Sequence, residues 1–345
     1  MRKAILILLA TLSVTYLEAQ QNGTFDEEKA ILQYQQQMVA GETKQAFETL
    51  VSWYYNTNKL YPAMLVAEAL QTGTGTEVNM ETALALYKAV ADTPAPDGDE
   101  NSKLIIATCC RQYGTLKMVG EEQLTPEGKA YLQRAITLTD DAMALTLLGM
   151  LTIDDRKEEG LGYLRRAAER NSIIALELLG EEAASREDMD QAMVYWEKAA
   201  TTPIYDIARE ERRNADLSFL ANPNLSTNPT IVEYQRDACY HLADTYFDME
   251  DTKTALTWLD KIVQENDESL ILRSYCYFQT DGREGEAIQL LKDIYDQRHN
   301  PEVLVHLGIL YHYNGQDTVS MTYLEKAKSE GCASASAVYN EFFNH

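Results

Sequence analysis

Residues that interrupt helices are scarce in this chain: it has 8 prolines and 17 glycines in 345 residues. A turn-rich β fold draws heavily on such residues, so their scarcity argues against one. The five cysteines include no C-x-x-C, which removes a thioredoxin-like redox motif and a zinc knuckle from consideration. No G-x-S-x-G, H-E-x-x-H or P-loop occurs either, so the common signatures of nucleophilic hydrolysis, zinc-dependent hydrolysis and nucleotide binding are missing. Positive charge is short as well. The 30 Lys and Arg face 54 Asp and Glu, for a formal net charge of −24. Such a chain repels phosphate backbones, and nucleic acid is not an expected partner. The same acidity favours solubility.

Long apolar runs are also lacking, apart from one at the start. Arg2 and Lys3 precede the apolar stretch Ala4 to Leu17, and small Ala19 follows. The stretch is about four residues short of the ~18 that a spanning helix needs, and no basic flank follows it. The pattern predicts a signal peptide over residues 1–19, and hence a periplasmic or secreted protein. Its removal takes away Arg2, Lys3 and Glu18, shifting the charge from −24 to −25. The first cysteine is Cys109, so no lipid-attachment cysteine lies near the cut. Five is an odd number of thiols for an exported chain, and burial as small hydrophobes is the expected state. Cys239 with Cys276 is the one pair that neighbouring helices could bring together.

What the chain does have is a recurring stripe. Seven small residues (Ala83, Gly128, Gly160, Ala192, Ala255, Ala287 and Ser320) are each followed three and four places on by a bulky pair. Those pairs are Leu86-Tyr87, Tyr131-Leu132, Tyr163-Leu164, Tyr195-Trp196, Trp258-Leu259, Leu290-Leu291 and Tyr323-Leu324. A further, mainly apolar pair comes seven and eight places on. These offsets trace one face of an α-helix. The spacings of 45, 32, 32, 63, 32 and 33 residues mark a copied supersecondary unit. A lone helix pair cannot bury its stripe, so neighbouring pairs must cover it. An all-α solenoid of stacked helix-turn-helix units follows, an architecture whose usual task is to hold another molecule.

Punctuation along the chain agrees. Thr24 and Glu27 form a capping box for a helix starting near Asp26 and ending around Gly41. Ala46, Leu50 and Trp53 continue the stripe into a second helix, and Lys59 to Gln71 is a third. Thr93 to Asn101 is a polar loop that explains the 45-residue gap, with Asn101 placed to cap the next helix. Thr125-Pro126 is a strong helix start. Pro94, Pro203 and Pro301 each follow a second helix. The segment 203–235 breaks the rule. It holds a charged helix, Asp206 to Leu217, with Arg209, Arg212 and Arg213, and then the polar loop Ala221 to Thr230. The organisation read from this is 1–19 signal peptide, 20–202 N-terminal repeats, 203–235 irregular insertion, and 236–345 C-terminal repeats. Ala333 to Phe343 forms the capping helix.

The units resemble two related families. Leu179-Gly180, Ala192, Trp196 and Ala199 occupy the places of a tetratricopeptide repeat, as do Leu242-Ala243, Tyr246, Ala255, Leu259 and Ile262. Leu307-Gly308, Tyr311, Ser320, Leu324 and Ala327 fit too, and Tyr275, Phe278, Ala287, Leu291 and Ile294 fit more loosely. Ala63 to Ala91 is similar instead to a Sel-like repeat, with Gly73 and Gly75 in a longer inter-helix loop. The resemblance implies a right-handed α-solenoid that binds proteins or peptides without catalysis. It also implies an inner groove lined by fixed places on the first helices. In this chain those places hold Glu177, Glu181, Asp237, Tyr240, Asp244, Phe247, Asp248, His312 and Tyr313. Carboxylates mixed with aromatics suit a basic or polar peptide. The Lys and Asn residues that clamp a terminal carboxylate in chaperone-binding members are missing from these places.

Neither a metal nor a cofactor is expected. His306 and His312 stand six residues apart on one helix, facing different ways. Asp97, Asp99 and Asn101 begin like a calcium loop, but Ser102 replaces the turn glycine and Thr108 the closing glutamate. Two other readings stay open: a glycan-binding component of a surface uptake system, using exposed Tyr and Trp, and an enzyme with its site in the 203–235 insertion.

Overall fold

The computed structural model describes residues 25–118, 125–204 and 229–344. Among these residues the chain is a succession of helices with no strand. The first pairs are α1 (Glu27–Val39) with α2 (Thr43–Thr57), α3 (Leu60–Thr72) with α4 (Met80–Ala91), and α5 (Glu100–Leu116) with α6 (Pro126–Thr139). Then come α7 (Ala142–Thr152) with α8 (Lys157–Glu169), and α9 (Ile173–Ser185) with α10 (Met189–Thr201). The last pairs are α11 (Pro229–Asp248) with α12 (Thr252–Leu259), α13 (Asp267–Phe278) with α14 (Glu284–Arg298), and α15 (Pro301–Tyr313) with α16 (Asp317–Ser329). A final helix, α17 (Ser334–Phe343), packs on both α15 and α16. First helices of adjacent pairs also touch, α3 with α5, α11 with α13 and α13 with α15. This is the α-solenoid expected from the stripe.

The chain divides into two compact units whose boundary falls inside α9, between Leu176 and Glu177. In the first unit, a continuous core runs from Ala30 through Trp53, Tyr87, Ile106 and Leu132 to Leu148. In the second, Ala287, Leu291, Leu304, Leu307 and Leu324 are part of a core that the rings of Tyr339, Phe342 and Phe343 border.

The small residues of the stripe carry out the role their size suggests. Ala83, Ala192, Ala255, Ala287 and Ser320 have no exposed surface, and Gly128 and Gly160 are buried. In four pairs a first-helix glycine receives the second member of the bulky pair, Gly114 with Leu132 among them. A Cβ on Gly149 would lie 2.7 Å from Leu164, and one on Gly308 2.7 Å from Leu324. One on Gly180 would meet the Trp196 indole nitrogen at 2.3 Å. Helix faces this close exchange water for dense side-chain contact, which is what gives each repeat its stability.

Local chemistry corrects several sequence expectations. Asp26, not Thr24, caps α1, its carboxylate accepting from the Lys29 amide at 3.0 Å, and Thr24 lies outside the described residues. Glu27 reaches instead across to α2 and to the residue before α3, accepting from the Trp53 indole at 2.9 Å and from Lys59 at 2.7 Å. Asp99, not Asn101, caps α5, accepting from the Ser102 amide at 3.0 Å. A capping carboxylate is the ordinary use for the acidic start of that loop. Thr125 and Pro126 open α6 as expected. Pro301 both follows α14 and supplies the first residue of α15 behind the cap Asn300. Residues 229–235, placed in the irregular insertion, form the first turns of α11. The charged helix Asp206–Leu217 and the loop to Asn228 lie outside the described residues, as do the signal-peptide residues. All five cysteines are free, so Cys239 and Cys276 are separate buried thiols. Among the described residues, no helix is long and apolar enough to cross a membrane.

Candidate functional site

The expected groove residues fall on two parts of the second unit. Seven of the nine lie on α9 and α11. Asp237, Tyr240, Asp244, Phe247 and Asp248 follow a helical spacing that keeps them on one side of α11. Glu177 and Glu181 stand one turn apart on α9.

These residues are not equivalent. Glu177, expected to line the groove in contact with solvent, is only 2% exposed. The reason is Gly180, three residues further along α9. Its missing side chain lets Trp196 of α10 lie against the helix, and His241 of α11 stacks on that indole, centroids 4.7 Å apart and planes at 19°. The imidazole therefore covers Glu177, with Nε2 at 3.5 Å from one carboxylate oxygen and 3.9 Å from Glu181. The other oxygen of Glu177, Oε2, is buried without a hydrogen-bond partner. Glu181 is exposed. Asp237 is held by its neighbour Arg236, whose guanidinium donates to it at 2.9 Å.

The electrostatics follow from this crowding. Burial raises the Glu177 carboxyl above its ordinary range, and Glu181 and Asp237 add to the rise. Burial pulls the His241 imidazole down, but Glu177, Glu181 and Asp237 outweigh it, so its pKa ends above the usual value. Asp244 is raised by burial and by the Asp248 charge. Tyr240 is pushed up to about 12 by burial together with Asp244, Glu268 and Asp248. Each of these groups feels the negative charge of its neighbours, and a positive group arriving there would relieve it.

Further along the first helices, Phe247 meets Tyr275 of α13 edge-on at 6.4 Å. The Tyr275 hydroxyl pairs with His306 Nδ1 of α15 at 2.8 Å. Tyr275 and His306 thus extend the aromatic track, although neither was among the expected lining residues. His312 and Tyr313 do not join it. His312 stacks on Phe342 of α17 at 4.0 Å and bonds Asp317 at 2.7 Å, while Tyr313 packs edge-on to Phe342 and is 67% exposed. Phe342 of the capping helix partly covers His312, whereas Tyr313 stays exposed but lies apart from the strip on α9 and α11.

His241 is the functional residue that sequence reasoning missed. It belongs to no motif and stands 64 positions from Glu177 in sequence, with the irregular segment between them. The only signal was its place beside Tyr240 in the same strip. The glycan-binding alternative loses its best stacking groups, because Trp53, Trp196 and Trp258 are all buried. The enzyme alternative rests mainly on residues 205–228, which lie outside those described.

Residues 237–269 match the tetratricopeptide repeat family model. In fold, the chain is similar to the Sel1 repeat protein from Oxalobacter formigenes. The two share 14% identity, the match covers 77% of this chain and 99% of that one, and the TM-score is 0.54. A further match is the protective antigen c5321 of uropathogenic Escherichia coli, which displays an SLR fold. There the identity is 13%, coverage is 89% of this chain and 79% of that one, and the TM-score is 0.37. No curated protein matches the chain in sequence.

Proposed function

On the premise that the chain belongs to the tetratricopeptide and Sel-like repeat class of α-solenoids, we propose that it is an exported, non-catalytic scaffold. Its second unit grips a basic or polar segment of a partner protein in the cell envelope. Location outside the cytoplasm is supported by the charged start, apolar run and small residue of positions 1–19.

The observation that carries the binding reading is the acidic, aromatic strip of α9 and α11. Asp244 and Asp248 share one side of α11 with Tyr240 and Phe247, Glu181 faces His241, and the Asp244 carboxyl is raised by burial and by the Asp248 charge. Maintaining such a cluster costs stability that a cationic partner would return. The rings supply rigid apolar area for the segment that carries the charge.

Affinity capture from the native envelope, followed by binding measurements on the captured partner, tests this. The partner segment should be basic or polar, and its affinity should fall as salt rises. Asp244→Lys with Asp248→Lys should weaken it by at least tenfold while circular dichroism stays unchanged. Binding that ignores both salt and the charge reversals would show that the strip is not the contact surface.

A further inference from the structure

The geometry points to a divalent transition-metal site of the zinc class, formed by Glu177, Glu181 and His241. It goes beyond the scaffold reading, since it needs no protein partner. One ligand atom from each residue lies within 4.8 Å of the other two. Around a zinc ion with bonds of about 2.0–2.1 Å, the ligand atoms of a tetrahedron stand about 3.4 Å apart. His241 Nε2 is already 3.5 Å from Glu177 and 3.9 Å from Glu181, so small side-chain rotations close the set.

The ion contacts of His241 with the two acids leave the set incompletely satisfied. A well-formed hydrogen bond from a ring nitrogen spans about 2.7–3.2 Å, and Nε2 stands outside that range from both acids. One nitrogen also cannot serve both carboxylates, and Oε2 of Glu177 is left without a partner in a side chain only 2% exposed. A buried carboxylate oxygen in that state is the kind of group a metal ion satisfies. Two carboxylates and a neutral imidazole carry a formal charge of −2, which a divalent cation balances.

The scaffold prepares the set well. Glu177 and Glu181 are one turn apart on α9 and point to the same side. The imidazole is fixed between Trp196, stacked at 4.7 Å, and Tyr240, edge-on at 5.8 Å. A ligand on each of two helices is the usual way helical packings build such centres. The donor set selects the metal: an imidazole favours zinc, nickel or cobalt over magnesium and calcium, which prefer oxygen alone. Three protein ligands leave one position for water or for a donor brought by a partner.

The test is calorimetric titration of the untagged full-length chain with zinc chloride, in a buffer that does not bind metal. One equivalent should bind, and both Glu181→Gln and His241→Gln should weaken it at least tenfold. Glu181 is exposed, so its variant keeps the fold, and circular dichroism verifies this. As a local reporter, nickel should quench fluorescence from Trp196, which touches the ligand ring, and Trp196→Phe should remove that quenching. No uptake at a hundredfold excess of zinc overturns the site, as does uptake unchanged in both variants. Quenching by an oligo-arginine peptide with no zinc uptake also overturns it, and would assign the acids to a guanidinium. Partner capture repeated with a chelator present reads the peptide strip separately, so the two proposals fail independently.

Discussion

The indole of Trp196 lies directly over Gly180, so near that a single added methyl group on the glycine would overlap the ring nitrogen. This contact closes one helix pair and sets the place of His241. Gly180→Ala should therefore destabilise the second unit by roughly 1–3 kcal/mol, even though alanine is the better helix former. Trp196→Ala should cost about 3–5 kcal/mol by leaving a cavity. In a thermal or urea double-mutant cycle the two should be strongly non-additive, because the overlap disappears with the ring. Additive effects would mean that the ring lies elsewhere.

The same reasoning separates the other helical glycines. Gly149 and Gly308 face Leu164 and Leu324 at close range, whereas a Cβ on Gly162 or Gly285 meets nothing within 4 Å. Gly149→Ala and Gly308→Ala should lower the melting temperature. Gly162→Ala, in the interior of α8, should raise it, with a gain of up to about 1 kcal/mol from helix propensity alone. A melting-temperature series across these variants checks the assignment. Three shifts of one sign would refute it.

Acid should weaken the second unit through His306. Burial holds its imidazole below the usual value, Glu302 opposes this, and the Tyr275 hydroxyl occupies Nδ1. The unfolded chain takes up the proton near pH ~6.5, while the folded protein does so only at lower pH. The contribution is thus complete above that pH and is lost as the pH falls through the folded value. Between pH 7.5 and 5, the melting temperature of His306→Gln should fall less than that of the parent. Parallel curves would show that His306 titrates normally.

The thiols should be unequal. Burial raises Cys109 well above the ordinary range and pushes Cys110, Cys239 and Cys276 up to about 11, whereas Cys332 is only half-buried. A maleimide reagent should modify one thiol promptly in the native protein and five after denaturation without reductant. Three after denaturation would show that a disulfide had formed, with Cys239 and Cys276 the pair to examine.

The sequence alone determined the helices and the way they stack. A stripe of period 3.6 that recurs every 32 or so residues has one physical solution, because each pair's apolar face must be covered by the next. Hence the seven small residues and their bulky partners could be named, and the small residues and the second member of every pair are buried. Helix starts were less legible. Asp26 and Asp99 compete with nearby Thr24 and Asn101 for the same capping role, and the choice depends on backbone geometry that composition does not encode.

Tertiary structure alone decided which polar residues on the first helices stay accessible. Glu177 has the spacing of a groove residue, but its burial depends on Gly180 admitting Trp196 and on that indole holding His241 above the carboxylate. His312 has the right register as well, yet α17 turns back and stacks Phe342 on it. Period and register are properties of a single helix. Cover is a property of whichever distant segment comes to rest on it, and no local pattern carries that information.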